Sequence, residues 1–168
     1  MQPRPGSLLS ELLNAPIRPG RVAWIGLRPA RRAAMTSVET AVADAGQGLL
    51  GDRYNGRSGS RQVTLIQREH LGAIASHLGL DLVAPDQLRR NIVVEGINLA
   101  ALKDHHFRLG SALLAWTGEC HPCSRMEEAF GPGGYNAVRG HGGITARVIE
   151  GGTIAIGDRL ERLPATSL

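Results

Sequence analysis

The residues best placed to do chemistry are two cysteines in Cys120-His121-Pro122-Cys123. An apolar run, ALLAWT at 112–117, leads through Gly118-Glu119 into them, and a short helix is expected over Pro122–Phe130 with Pro122 near its first position. Cys123 then falls in a first helical turn, where unpaired backbone N–H groups favour an anion, and Arg125 adds positive charge nearby. An anionic sulfur is what sulfur transfer or soft-metal ligation requires. Other readings of the pair stay open. A dithiol exchanging a disulfide would use both sulfurs, but that motif normally follows the first strand of an α/β unit. Zinc needs about two more ligands, which His70, His121 or His141 would have to supply. Iron–sulfur clusters need about four cysteines. Two small half-buried cysteines with no role are the remaining alternative.

A second constellation joins arginine and glycine. Gly51-Asp52-Arg53 is followed by Arg57 and Arg61; Arg89-Arg90-Asn91 precedes the apolar NIVVE; Arg139-Gly140-His141-Gly142-Gly143 precedes ITARVI. Glycine lets backbone approach a ligand, and arginine grips phosphate at two points. Arg53, Arg89, Asn91, Arg125, Arg139 and His141 are the candidate contacts to an anionic or phosphorylated guest. Any one of these arginines alone reads as solvated loop charge. His105-His106 beside Lys103 and Asp104 reads as an exposed turn, and Glu127-Glu128 as the wet face of the short helix.

These groups must be positioned by short strands. Arg21–Leu27, Ser37–Val42, Arg61–Ile66, Asn91–Glu95, Phe107–Leu109 and Ala112–Thr117 read as strands, with a glycine-punctuated loop over 46–55 and a turn at Pro85–Leu88. Leu71, Ile74, Ala75 and Leu78 follow helical spacing over Gln67–Leu78, which Gly79 stops. Tyr135–Arg139 is another short helical turn. Ile144–Ile149 and Thr153–Leu160 read as a closing hairpin about Gly151-Gly152. Residues 1–20, with four prolines, form a leader that includes a short helix at Leu8–Leu13, and one domain spans 21–168. Twenty-two glycines and only 4% aromatics fit a β-barrel with helical insertions, its core built from aliphatic side chains.

The net charge of +4 comes almost wholly from arginine, since Lys103 is the only lysine. The pI near 9.8 motivates a nucleic-acid-binding barrel as one alternative, but few aromatics are available to stack on bases. No apolar run reaches membrane-spanning length and no secretory signal is recognisable, so a reduced, cytoplasmic setting is expected for the thiols. A homodimer is the default assembly.

Taken in order, GDR at 51–53, RQVTLI at 61–66, RRNIVVEGINL at 89–99, FRLGSALLAWTG at 107–118, CHPCSRMEE at 120–128, GGYNAVRGHGGITARVIEGGTI at 133–154 and IGD at 156–158 resemble the MOSC family, named for the C-terminal domain of molybdenum cofactor sulfurase. They cover most of Leu49–Leu160. The resemblance implies a MOSC-type β-barrel, of the small stand-alone, YiiM-like kind, whose signature cysteine falls on Cys123. Its R-x-N element falls on Arg89 and Asn91. In related proteins the cysteine is proposed to carry sulfur, or it ligates the molybdenum of a molybdopterin cofactor; some relatives then reduce N-hydroxylated compounds with electrons from a reductase partner. The chain departs from the larger relatives: the additional N-terminal β-barrel of the amidoxime reducers, a ferredoxin segment and the sulfurase's pyridoxal-phosphate domain are not expected here. Lys103 is in a poor setting for a Schiff base, so sulfur would have to come from a separate cysteine desulfurase. The two leading expectations are a molybdenum-cofactor protein acting on a small-molecule substrate, with Cys123 as metal ligand, and a persulfide carrier for metal–sulfur assembly.

Overall fold

The computed structural model describes residues 2–54 and 56–165. Met1 of the leader, Asn55 of the glycine loop and residues 166–168 of the domain lie outside the described residues. In chain order the elements are α1 (Leu8–Asn14), β1 (Gly20–Leu27), β2 (Thr36–Val38), β3 (Thr40–Asp44), β4 (Gly48–Leu49), β5 (Val63–Gln67), α2 (Arg68–Leu78), β6 (Ile92–Glu95), β7 (His106–Leu109), β8 (Ala112–Glu119), α3 (Arg125–Phe130), α4 (Gly134–Val138), β9 (Ile144–Glu150), β10 (Gly152–Ala155) and β11 (Arg159–Arg162).

Seven strands run in the order β11-β7-β8-β9-β5-β6-β1, and β11 returns to β1 through Gly20↔Leu160 and Arg21↔Arg159. That closure makes a barrel, which leaves no free edge among those seven strands. β2 extends the sheet beyond β1, and β3 lies in a separate small sheet between β10 and β4. All neighbours are antiparallel except β5 and β6, whose parallel pairing is bridged by α2.

The barrel is filled by aliphatic side chains and Phe107, including Val22, Ile25, Leu65, Ile92, Val94, Leu109, Leu114, Ile144, Val148 and Leu160. A second cluster lies outside it, where Leu71, Ile74 and Ala75 of α2 meet Val83, Leu88, Met126 and Val138. β5 and β6 stand between the two. Leu65, Ile92 and Val94 face the barrel, while Ile66 and Val93 face the helices. Strands covered on both faces lose their polar alternation, which explains the unbroken apolar reading of NIVVE.

Several sequence expectations need correction. Ser37–Val42 is not one strand. The chain breaks at Glu39 and its halves serve different sheets. The expected closing hairpin is not formed either: β9 pairs with β5 and β8, whereas β10 pairs with β3 and β11 with β7 and β1. Gly152 is needed for packing, since a Cβ there would lie 2.6 Å from the Ser111 carbonyl carbon. The leader helix α1 is present and buries none of its residues; Arg162 holds its end by donating to the carbonyls of Leu13, Asn14 and Ala15.

Candidate functional site

Two elements deliver the cysteines. β8 ends at Glu119, and the chain then runs irregularly to α3. Cys120 is buried, 2% exposed, while Cys123 is exposed, and both are free thiols. The helix begins three residues later than expected, at Arg125, and is six residues long. Cys123 therefore lies before it, in a turn whose carbonyl accepts from the Met126 N–H at 2.9 Å. Arginines, rather than a helical first turn, supply the positive field around these sulfurs.

Arg90 is the staple of this region. Only 8% exposed, it donates to the carbonyls of Leu88 and Gly142 at 2.7 Å each and to that of Cys120 at 3.3 Å. The Cys120 N–H in turn donates to the Gly143 carbonyl at 2.8 Å. Burial pulls the Arg90 guanidinium below its ordinary value, and the nearby charge of Arg61 acts in the same direction. Arg61 approaches from the other side, its Nη2 donating to Cys120 Sγ at 3.6 Å. Gly142 and Gly143 serve this packing. A Cβ on Gly142 would collide with the Cys120 carbonyl, and one on Gly143 with the Leu65 carbonyl.

Arg61 also lines a cleft of about 440 Å³, with Arg28, Arg53, Tyr54, Gly56 and Thr64. Its floor is an ordered polar network. Asp52, whose side chain is fully buried, accepts from Arg28 Nε at 3.0 Å, Nη2 at 2.7 Å and backbone N at 2.7 Å. Asn91 Nδ2 donates to the same carboxylate at 3.1 Å and to the Gly26 carbonyl at 3.2 Å. Asn91 Oδ1 accepts from Thr64 N and Oγ1. Burial pushes the Asp52 carboxyl up, but Arg28's hydrogen bonds and charge, with Asn91's amide, outweigh it and hold the group below its ordinary value.

Arg89 completes the basic group. Its Nη1 donates to the Ala33 carbonyl at 2.6 Å. Burial lowers its affinity for the proton, and the charges of Arg125, Arg28 and Arg53 lower it further, against a weaker opposing pull from Asp52. Positive charge is thus concentrated here, and the central carboxylate is already held by Arg28.

Arg53 and Arg125 lie close enough to Arg89 for their charges to act on it, together with Arg28. The structure assigns the other expected contacts elsewhere. Asn91 is fully buried and its amide is bonded internally, so it orders Arg28 and Asp52 rather than facing the cleft. Arg139 is exposed and reaches Asn136. His141 meets His70 edge-on and His77 at a tilt, with ring centroids at 4.7 and 5.1 Å. Arg28, Asp52, Tyr54 and Thr64 were not singled out as site residues from sequence. The GDR motif named Asp52, but its partner Arg28 stands in RPARR, an unremarkable loop run. Among the described residues, no three or more His, Cys, Asp or Glu side chains form a group able to hold a metal ion, and no helix is long and apolar enough to cross a membrane.

No curated protein matches the sequence significantly. Among solved structures, the YUAD protein from Bacillus subtilis superposes with a TM-score of 0.75 at 19% identity, over 86% of this chain and 96% of that one. YiiM from Geobacillus stearothermophilus gives 0.69 at 17% identity, over 86% and 75%, and YiiM from Escherichia coli 0.66 at 20%, over 88% and 70%. These likenesses establish the fold. The MOSC domain profile matches residues 44–161, a span that runs from the end of β3 through Arg53, Arg61, Arg89 and both cysteines to β11. With most of the sequence matched and the barrel closed as described, this chain belongs to the MOSC domain family.

Proposed function

We propose that the protein holds a molybdenum–pterin cofactor, with Cys123 as the single protein ligand to the metal and the arginine cleft as the seat of the cofactor's anionic part. The observation that carries this reading is the crowding of Arg28, Arg53 and Arg125 around Arg89, with Arg61 of the same cleft reaching Cys120, three residues before the exposed thiol. Gathered guanidinium groups repel one another unless an anion compensates them. The donor set suits such a group. One thiolate without a cluster of further ligands is a poor site for a bare ion, but adequate for a metal that arrives with its own ligands. Arg28 is held rigid by Asp52, and Arg53 and Arg61 line the same wall, so bidentate donors are available for a phosphate.

When bound, such a cofactor supplies two-electron chemistry of the kind that reduces an N–O bond. The chain's own residues would hold the anionic tail, keep the Cys123 thiol accessible and fix its loop through Arg90. Electrons would come from a separate reductase. The test is elemental analysis of the full chain from a cofactor-competent host. About one molybdenum per chain is expected in wild type, as for a single metal-binding thiolate, and none in Cys123→Ser. Equal, near-zero contents in both would defeat the reading.

A second reading is favoured by Cys120. A buried sulfur within reach of Arg61, behind an exposed one, also suits a chain that accepts sulfane sulfur on Cys123 from a cysteine desulfurase and passes it on. Its test is the mass of one added sulfur on Cys123 after incubation with such a donor.

A further inference from the structure

The second thiol has no part in ligating a cofactor through Cys123, yet its surroundings are elaborate. Cys120 is fixed at its N–H by Gly143 and at its carbonyl by Arg90, and its sulfur accepts from Arg61 at 3.6 Å. A hydrogen bond from a guanidinium strengthens as the acceptor gains negative charge, so this sulfur sits where an attacking thiolate is supported. The segment that carries both sulfurs is anchored at its start by the buried Arg90 guanidinium, which donates to the Cys120 carbonyl. Cys123, three residues on, is exposed and lies in irregular chain between β8 and α3, where no sheet ladder restrains it. A cavity of about 210 Å³ opens at Cys120, lined also by Trp116, Glu119, His121 and Pro122.

We propose that Cys120 is a resolving thiol that discharges a persulfide from Cys123 as free sulfide. The proposal rests on the reading of Cys123 as a sulfur acceptor. A persulfide donor first transfers its outer sulfur to the Cys123 thiolate, leaving the donor as a thiolate. The Cys120 thiolate then attacks Cys123 Sγ. The Cys120–Cys123 sulfur–sulfur bond forms, the bond from Cys123 Sγ to its outer sulfur breaks, and that sulfur leaves as hydrosulfide with the proton it carried. The outer sulfur gains two electrons and the two cysteines lose them. A dithiol reductant restores both thiols, becoming a disulfide itself. The division of labour follows burial: the exposed sulfur meets the donor, and the buried one attacks only within the chain. The cavity beside Cys120 gives a small anion room to leave.

The experiment is a single turnover of the reduced full chain with glutathione persulfide, donor removed and no reductant present, read by sulfide release and intact mass. Wild type should release sulfide close to stoichiometrically and end two hydrogens lighter, as an internal disulfide. Cys120→Ser should keep one added sulfur on Cys123 and release none, and Cys123→Ser should take up none. If wild type retains its added sulfur as stably as Cys120→Ser, the resolving role of Cys120 is wrong while Cys123 remains a sulfur acceptor. If Cys120→Ser takes up no sulfur, both ideas fall.

Discussion

Arg28 and Asp52, 24 residues apart in sequence, form a two-point ion pair in which the carboxylate is fully buried and the guanidinium lines the cleft wall. The pair ties the loop after β4 to the end of β1. It engages the Asp52 carboxylate, so that only a weaker pull from it reaches Arg89.

Asp52→Asn should therefore destabilise the fold by about 3 kcal/mol, because it strands a partly buried guanidinium. The pH dependence follows from the direction of the shift. Asp52's folded affinity for protons is below its ordinary value of 3.8. The pair's contribution is thus complete above that value and is lost as pH falls below it through the folded value. Urea melts of wild type and Asp52→Asn should converge in that acid range. A constant gap down to the lowest measurable pH would contradict this account.

Arg53 is exposed and belongs to the basic group without supporting the core. Arg53→Ala should leave the melting midpoint almost unchanged, within about 0.5 kcal/mol. It should weaken binding of inorganic pyrophosphate to the full chain by about tenfold, the loss of one charge-assisted hydrogen bond. Because the contact is near solvent, the difference should shrink as salt is raised. Calorimetric titration at low and high salt reads both effects, and unchanged affinity at low salt would remove Arg53 from the anion seat.

His70 makes a different kind of prediction. Burial, followed by the nearby His141, lowers its affinity for protons below the ordinary 6.5, against opposing effects of Glu69 and the His141 backbone. The folded state thus prefers the neutral ring. Stability from this term is full above 6.5 and declines as pH falls below it toward the folded value, since the unfolded chain takes the proton first. His70→Gln should flatten the drop in urea midpoint over that window. An equally steep drop in the variant would assign the slope to other groups.

The barrel, and the placing of the two cysteines between a strand and a short helix, were legible in sequence because each rests on local pattern. Val63–Gln67 and Ile92–Glu95 announce themselves by β-branched runs, and α2 by Leu71, Ile74 and Ala75 on one stripe. What failed was long-range. Thr153–Leu160 looked continuous, but Gly157, at φ 91°, turns the chain from the β3 sheet into the barrel. Asn91 looked like a ligand contact because a polar residue stood before an apolar strand. Only the fold shows that Asp52, Gly26 and Thr64 occupy its amide. Arg28 was missed for the same reason, since nothing local pairs it with Asp52.

Two of the three glycines just before β9 provide a final test that links packing to the cysteine loop. Gly143 has φ 86°, and a Cβ on it would run into the Leu65 carbonyl of β5; Gly140 has φ 77° with nothing within 4 Å of the same position. Alanine at Gly140 meets only the left-handed backbone penalty, about 1–2 kcal/mol. Alanine at Gly143 meets that penalty and a backbone collision together, so it must displace the turn whose carbonyl accepts from the Cys120 N–H. Gly143→Ala should therefore be the less stable variant in urea, and Cys120 should become faster to alkylate under native conditions, with Gly140→Ala close to wild type in that rate. Equal losses and equal thiol reactivity in the two variants would mean that the turn yields easily and does not hold Cys120 in place.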